Sequence, residues 1–177
     1  RLEPQGFKAQ VVAVDKEACV LYYRELLKYF DASELQIIFS TGQYDTGEKY
    51  DMFSPFYLTD KERKRLIENF KKRITPEEQA QGNNLKIFIV CNMLLTGFDA
   101  PIEQTMYLDS PLCDHNLLQA VARTNRPFDY GEGENKLSKE FGRIVDYVGV
   151  FQNYKEALAY DPKDIGEFED VDALLKV

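Results

Sequence analysis

A segment in the second half of the chain carries two arginines and a glutamine at helical spacing. In HNLLQAVARTNRP, Gln119 and Arg123 lie four residues apart and would share one face of a helix, and Arg126 stands just before Pro127. A guanidinium binds two phosphate oxygens at once and keeps its charge at physiological pH. The pattern is therefore typical of a phosphate-binding surface. A solvated helix face with incidental arginines is the alternative, and this helix alone leaves both open.

A glycine turn with an adjacent carboxylate precedes the arginines. The turn Thr96-Gly97-Phe98-Asp99 follows an unbroken apolar run, and Pro101 stiffens its exit. Gly97 allows a close approach of the backbone, and Asp99 can accept hydrogen bonds from a ribose hydroxyl. A plain strand-to-helix turn uses the same residue types. Together the two segments favour a nucleotide site, although the sequence contains no GxxxxGK[ST] loop to hold a triphosphate.

The elements around these segments predict how they are positioned. Alternating strands and helices predict an α/β fold, a doubly wound and mainly parallel sheet of about five or six strands with helices on both faces. Strands are predicted at residues 8–14, 35–40, 85–90, 104–108 and 142–147. In such a sheet the loops after the strands meet at one edge, where ligands bind. We therefore expect the Gly97 turn and the arginine helix to lie near each other.

Capping signals mark the starts of two predicted helices. Asp15 is expected to cap the first, and Thr59 with Glu62 forms a capping box at about residues 59–73. The apolar stripe of the first helix is predicted to be Ala18, Leu21, Tyr22, Leu26 and Tyr29, and that of the second Leu66, Ile67 and Phe70. Two further helices are predicted, one ending by residue 126 and one at 150–160. We interpret 41–58 as a long loop, 74–84 as a polar linker and 129–138 as a flexible loop.

Composition excludes several kinds of site. His115 is the only histidine, which leaves little for Ser-His-Asp catalysis or for a multi-histidine metal site. Cys19, Cys91 and Cys113 form no C-x-x-C pair and are interpreted as packed thiols in a reducing cytoplasm. A net charge of −8 argues against coating DNA by bulk electrostatics but allows local phosphate contacts. We expect no membrane-spanning segment, and we interpret the basic residues at 61–73 as a solvated helix face.

Two segments carry a resemblance to a known family. NMLLTGFDAP followed by LLQAVARTNRP resembles motifs V and VI of superfamily 2 helicases, in the variant found in the motor and endonuclease (R) subunit of type I restriction enzymes. GRIVDYVGVFQNYKEAL is similar to the segment after motif VI in those subunits. KAQVVAVDKEACVLYYREL resembles motif IV more loosely. The resemblance covers most of residues 8–158.

The resemblance implies that the chain is part of a longer motor protein. Residues 1–160 would form a second RecA-like domain, and residues 161–177 an acidic tail. A first RecA-like domain, carrying the Walker motifs, would share an ATP site with this one and bind most of the Mg²⁺. The other implied partners are double-stranded DNA and the methylation and specificity subunits of a bacterial or archaeal restriction complex. The chain alone is then expected to be inactive.

The resemblance also assigns roles to individual residues. Gly97 and Asp99 would approach the γ-phosphate and the ribose, and Gln119 would help to order the site. Arg123 and Arg126 would be the catalytic arginines that contact phosphate, with Arg126 as the preferred arginine finger. The DNA backbone would be contacted by Lys16, Cys91 and Asn92.

Two alternatives remain open. Another superfamily 2 helicase or translocase would lack a nuclease motif upstream of this domain. A non-catalytic, doubly wound binding module would bind ATP tightly without a second domain.

Overall fold

The computed structural model of the chain describes residues 6–40, 46–91, 93–94, 98–111, 119, 122–131 and 137–150. Within these ranges a five-stranded parallel sheet and a two-stranded antiparallel hairpin are present. The strands are β1 Lys8–Ala13, β2 Leu35–Ile38, β3 Ile87–Val90, β4 Glu103–Asp109, β5 Phe128–Tyr130, β6 Leu137–Lys139 and β7 Arg143–Asp146. The sheet order is β2-β3-β1-β4-β7, and β5 pairs with β6. The predicted α/β class and all five predicted strands of the parallel sheet are confirmed.

Helices cover both faces of the sheet. They are α1 Lys16–Leu26, α2 Glu48–Phe53, α3 Asp60–Lys71 and α4 Pro76–Ala80, with 3₁₀ turns at Ala32–Glu34 and Ser54–Phe56. Alternate residues of β1 belong to different apolar clusters, since Val12 packs with Phe70 of α3 while Val11 packs with Cys19 of α1. Successive side chains of a strand point to opposite faces. The sheet is therefore buried on both sides, which accounts for strands such as IFIV whose positions are all buried.

The predicted helix starts are confirmed in detail. The Asp15 carboxylate accepts a hydrogen bond from the Ala18 amide at 2.7 Å. The Thr59 hydroxyl accepts from the Glu62 amide, and the Glu62 carboxylate accepts from the Thr59 amide, which makes a complete capping box. The apolar side of α3 is also as predicted, with Phe70 buried and Leu66 and Ile67 packed against the same cluster.

The predicted stripe of α1 is wrong at two positions. Leu21 is 61% exposed and Tyr29 is 78% exposed, and Tyr29 lies beyond the end of the helix. The side chains of α1 and its C-terminal extension that pack inward include Cys19, Tyr22, Tyr23, Leu26 and Phe30. Their spacing follows one face of a helix, and Leu21 falls outside it.

Three regions interpreted as irregular contain regular structure. Residues 41–58 include α2 and the Ser54–Phe56 turn, and residues 74–84 include α4. Thr75 caps α4 through the Glu78 amide, and Pro76 occupies its first turn, where a missing amide hydrogen costs nothing. Residues 129–138 overlap the β5–β6 hairpin. Each of these elements is at most six residues long, too short for a hydrophobic period to reveal it.

Two predictions fall mostly outside the described residues. Val150 is helical and buried, as the expected helix at 150–160 requires, but residues 151–177, including the expected acidic tail, are not described. None of the described helices is long and apolar enough to cross a membrane.

Lys8 is a charged group inside the core. It is fully buried, its ammonium donates to the Asn69 carbonyl at 2.8 Å, and it lies 5.3 Å from the centre of the Phe70 ring. Burial lowers the pKa of Lys8 from 10.5 to about 7, although Glu78 opposes the shift. Between these two pH values the unfolded chain binds a proton at Lys8 that the folded chain does not bind.

Lys8→Met tests this linkage. Because the unfolded state holds the extra proton, wild-type stability should rise relative to Lys8→Met as the pH increases from about 7 to 10.5. The expected gain is on the order of 5 kcal/mol, measured by denaturant unfolding of both chains across this range. Lys64→Met, which changes an exposed lysine of α3, is the control and should show no such trend. A constant difference between wild type and Lys8→Met would contradict the prediction.

Candidate functional site

An ion pair joins the two segments in which the sequence predicts chemistry. The Arg126 guanidinium lies 2.6 Å from the Asp99 carboxylate, and the two side chains are 53% and 55% exposed. Asp99 lies between β3 and β4, whereas Arg126 follows a helical turn at residues 122–124. The structure thus brings the acidic turn and the second arginine together, with both groups open to a ligand.

Arg123 differs from this arrangement because it is buried. It is only 6% exposed, its guanidinium donates to the Leu94 carbonyl, and its Cζ lies 5.3 Å from the centre of the Phe98 ring. Burial lowers the pKa of Arg123, and the charge of Glu103 opposes that shift. The two guanidiniums therefore do not share one exposed surface. Arg123 lies within the helical turn and points inward, whereas Arg126 lies beyond it.

The partner of Arg123 has an unusual backbone. Leu94 has φ of 59°, in the left-handed region that residues other than glycine seldom adopt. Such a conformation costs on the order of 1 kcal/mol and persists only where the surroundings impose it. The Arg123 hydrogen bond to the Leu94 carbonyl is one such constraint on this turn.

A buried carboxylate lies under the site. Glu103, at the start of β4, is fully buried, and burial raises its pKa to about 8 against the opposing charges of Arg123 and Lys139. With its amide oriented to donate, Gln10 places its nitrogen 3.1 Å and 3.3 Å from the two Glu103 carboxylate oxygens. The Lys139 ammonium donates to the backbone carbonyls of Glu103, at 3.0 Å, and of Pro101. Gln10 is a polar residue inside β1, next to the apolar run Val11–Ala13, and is a sequence signal for this cluster.

Gly142, just before β7, allows the backbone of Thr124 and Asn125 to pack closely against it. A Cβ on this residue would lie 2.3 Å from the carbonyl carbon and oxygen of Thr124 and 2.8 Å from the Asn125 amide nitrogen. Real Cβ atoms do not approach backbone so closely, so any other residue at position 142 would displace the turn. Sequence reasoning missed this role, although a glycine at the start of a strand is a signal for close backbone approach.

The other proposed nucleotide residues are described only in part. Gln119 is helical and partly exposed, in the same segment as Arg123. Gly97 lies outside the described residues, so its approach to a ligand remains a prediction.

The proposed DNA-contacting residues follow neighbouring strands. Lys16 lies just after β1 and Cys91 just after β3, and these two strands pair in parallel. The Lys16 ammonium is 5.4, 5.6 and 6.0 Å from the ring centres of Phe39, Phe53 and Tyr57. Cys91 is buried, and burial raises the pKa of its thiol. Asn92 lies outside the described residues.

Metal ligands are not grouped in the part of the chain that the structure describes. No three His, Cys, Asp or Glu residues there are arranged to hold an ion.

Comparison with known families places the chain. Residues 42–149 match the family described as type I restriction enzyme subunit R domain 3. The chain belongs to this family. The match includes β3, β4 and the segments that carry Asp99, Arg123 and Arg126, which are the parts of this R-subunit domain that the sequence singles out.

Curated relatives agree with the family. The chain is 42% identical over 167 residues to a Methanocaldococcus jannaschii protein named as the type I restriction enzyme MjaVIIP endonuclease subunit, with 86% of this chain covered. It is 34% identical over 166 residues to the type I restriction enzyme HindI endonuclease subunit of Haemophilus influenzae, with 89% of this chain covered. The chain spans only 14% of the length of each relative.

Solved structures confirm the RecA-like fold. The chain is similar to Saccharomyces cerevisiae Dbp5 bound to RNA and ADP BeF3, with a TM-score of 0.53 and 18% identity over 96% of this chain and 37% of Dbp5. It is also similar to the C-terminal domain of the DEAD-box protein Dbp5, with a TM-score of 0.52 and 21% identity over 98% and 81% of the two chains. These likenesses concern the fold.

Alanine substitutions should separate the two arginines by their effect on stability. Arg123→Ala removes a buried guanidinium together with its hydrogen bond to the Leu94 carbonyl and its contact with the Phe98 ring, so we expect a loss of about 3 kcal/mol in the free energy of unfolding. Arg126→Ala breaks a half-exposed ion pair and should cost less than about 1 kcal/mol. Denaturant unfolding of the two variants measures both values. Equal losses would contradict the difference in burial.

Proposed function

We propose that this R-subunit domain is the second motor domain of an ATP-dependent DNA translocase and completes an ATP site shared with a preceding RecA-like domain. The observation that supports the proposal is the half-exposed contact between Arg126 and Asp99. A guanidinium and a carboxylate at one surface suit the phosphate and ribose groups of a nucleoside triphosphate, since one binds phosphate oxygens and the other accepts from ribose hydroxyls.

Each residue has a stated task in this proposal. Arg126 binds the transferring phosphoryl group and stabilises the charge that spreads over its oxygens. Asp99 accepts a hydrogen bond from the ribose, Gly97 lets the backbone approach the γ-phosphate, and Gln119 orders the site. The resemblance assigns a second phosphate contact to Arg123, but its guanidinium would first have to leave the Leu94 carbonyl. We therefore place the direct contact on Arg126.

ATP then controls the distance between the two motor domains. While the γ-phosphate is present, Arg126 on this domain and the phosphate loop of the preceding domain bind the same group. Hydrolysis removes the shared group, and the domains separate. Lys16, Cys91 and Asn92 would contact the DNA backbone. Each cycle of hydrolysis would then move these contacts relative to the DNA contacts of the preceding motor domain.

The family match supports a proposal for the surroundings of the domain. We assign Mg²⁺ to the preceding motor domain, which would supply its ligands. The full-length protein would act as a type I site-specific deoxyribonuclease on double-stranded DNA, together with methylation and specificity subunits in the cytoplasm. Dbp5, which shares the fold, was solved with RNA and ADP BeF3, that is, with a nucleic acid and an adenine nucleotide. The family match favours a restriction motor over other superfamily 2 motors.

Arg126→Ala in the full-length protein tests the proposed finger. Removing an arginine that stabilises phosphoryl transfer should lower DNA-dependent ATP turnover by a factor of about 10³–10⁵. DNA binding, measured by a mobility shift, should stay near the wild-type level. Arg24→Ala, at an exposed position of α1, is the matched control and should keep wild-type turnover. Wild-type turnover in Arg126→Ala would remove the assignment.

The 177-residue chain alone should hydrolyse ATP no faster than a protein-free blank. The reason is that its sequence contains no GxxxxGK[ST] loop to hold the triphosphate. Phosphate release with and without duplex DNA measures this. Robust hydrolysis would contradict the proposal, and tight ATP binding without hydrolysis would favour the non-catalytic binding module.

A further inference from the structure

Lys139 is bonded to the turn that leads from Asp99 into β4. Its ammonium donates to the backbone carbonyls of Pro101 and Glu103, the latter at 3.0 Å. Lys139 is only 6% exposed, so water does not compete freely for these bonds. Burial lowers the pKa of Lys139 to about 8 against the charge of Glu103, which leaves the ammonium protonated at neutral pH. Because Asp99 directly precedes this turn, the bonds limit where its carboxylate can lie.

Backbone amides bind the remaining carbonyls of the same turn. The Ala100 carbonyl accepts from the Glu103 amide at 2.9 Å, and the Ile102 carbonyl accepts from the Lys8 amide at 3.2 Å. Buried carbonyls need such partners, because an unpaired one costs free energy comparable to a lost hydrogen bond. Each of the four carbonyls of the turn is therefore hydrogen-bonded, and the Lys139 side chain binds two of them.

The backbone of Lys139 belongs to the segment that continues from Arg126. In the β5–β6 hairpin Lys139 pairs with Phe128, which lies two residues after Arg126. Residues that pair directly across antiparallel strands lie about 5 Å apart at their Cα atoms. The Phe128 ring packs edge-on against the buried Phe7, with 6.4 Å between ring centres, and this anchors the hairpin. Lys139 thus joins the Arg126 segment, through the hairpin, to the turn after Asp99, through its ammonium.

We propose that Lys139 is a positioning residue: its two hydrogen bonds fasten the turn after Asp99 to the β5–β6 hairpin and so keep Asp99 in contact with Arg126. For its effect on ATP the inference rests on the proposed function, in which Asp99 accepts a hydrogen bond from the ribose. Its effect on the turn itself is independent of ATP. Lys139 contacts no ligand in this scheme.

Lys139→Met in the full-length protein removes both hydrogen bonds and keeps the length of the side chain. We expect the KM for ATP in DNA-dependent hydrolysis to rise about tenfold, with a smaller change in kcat, because Asp99 no longer lies where the ribose needs it. A purely structural role would instead lower the fraction of folded enzyme, and with it the apparent kcat, and would leave KM unchanged. Wild-type KM, or a loss confined to kcat, would overturn the inference.

A double variant tests whether Lys139 acts through Asp99. Asp99→Ala should itself raise the KM for ATP, and in that background Lys139→Met should raise it no further, because the ribose contact is already lost. Increases in KM that multiply in the double variant would contradict a route through Asp99 and would also overturn the inference.

Lys8→Met is the matched control. Lys8 is another buried lysine whose ammonium donates to a backbone carbonyl, that of Asn69, and the chemical change is the same. Its KM for ATP should be that of the wild type. An equal rise in Lys8→Met would mean that the loss of any buried ammonium has this effect, and the specific role of Lys139 would be refuted.

Hydrogen exchange provides a readout that does not depend on ATP. In the full-length protein without nucleotide, the amides of residues 98–103 should exchange faster in Lys139→Met than in the wild type or in Lys8→Met. Unchanged exchange would overturn the inference even if KM rose. If Arg126→Ala keeps wild-type turnover while exchange in Lys139→Met rises, the proposed function fails and the positioning of the turn stands. If Arg126→Ala loses turnover while Lys139→Met changes neither KM nor exchange, only the present inference fails.

Discussion

The parallel pairing of β1 with β3 and β4 is the constraint on which the rest of the domain depends. Both neighbours of β1 run in its direction, so the residues that follow all three strands reach one edge of the sheet. Parallel strands also need long crossovers, and these bring α1 and α3 onto opposite faces. The central strands are then closed to water on both sides. Any polar group within them must find its partner inside the protein.

The charged groups of the interior show how this requirement is met. Lys8 donates to a backbone carbonyl and lies over an aromatic ring, the Arg123 guanidinium donates to the Leu94 carbonyl, and the Gln10 amide faces the Glu103 carboxyl group. Removing a charge from water costs several kcal/mol, so such groups remain only where geometry supplies compensation. Arg123 joins this interior to the candidate site, because its guanidinium contacts the Leu94 carbonyl and the ring of Phe98, the residue before Asp99. The core and the candidate site therefore share a residue.

Local sequence was sufficient for the sheet and for the position of Asp99 beside Arg126. Unbroken runs of β-branched and aromatic residues such as IFIV identify buried strands, and the topology of parallel sheets then brings their loops together. The short helices α2 and α4 were not predicted because five or six residues do not show a helical period. The burial of Arg123 was not predicted for another reason. Lys8, Glu103 and Arg123 are residue types that usually lie at protein surfaces. Their burial here depends on the three-dimensional packing, which includes the bulge in β4 beside Glu103.

The aromatic surroundings of Lys16 have a consequence for any grip on a nucleic acid. Each cation–π contact contributes about 0.5–1 kcal/mol, and three rings surround this ammonium. If a phosphate drew Lys16 away from these rings, the net binding free energy would be that of the new ion pair minus that of the lost cation–π contacts. Phe53 ends α2, Tyr57 follows the Ser54–Phe56 turn, and both pack in the same apolar cluster as α1. A shift of Lys16 would therefore remove one contact between the start of α1 and the end of α2, so that binding of a backbone phosphate and a weaker attachment of α2 would be coupled.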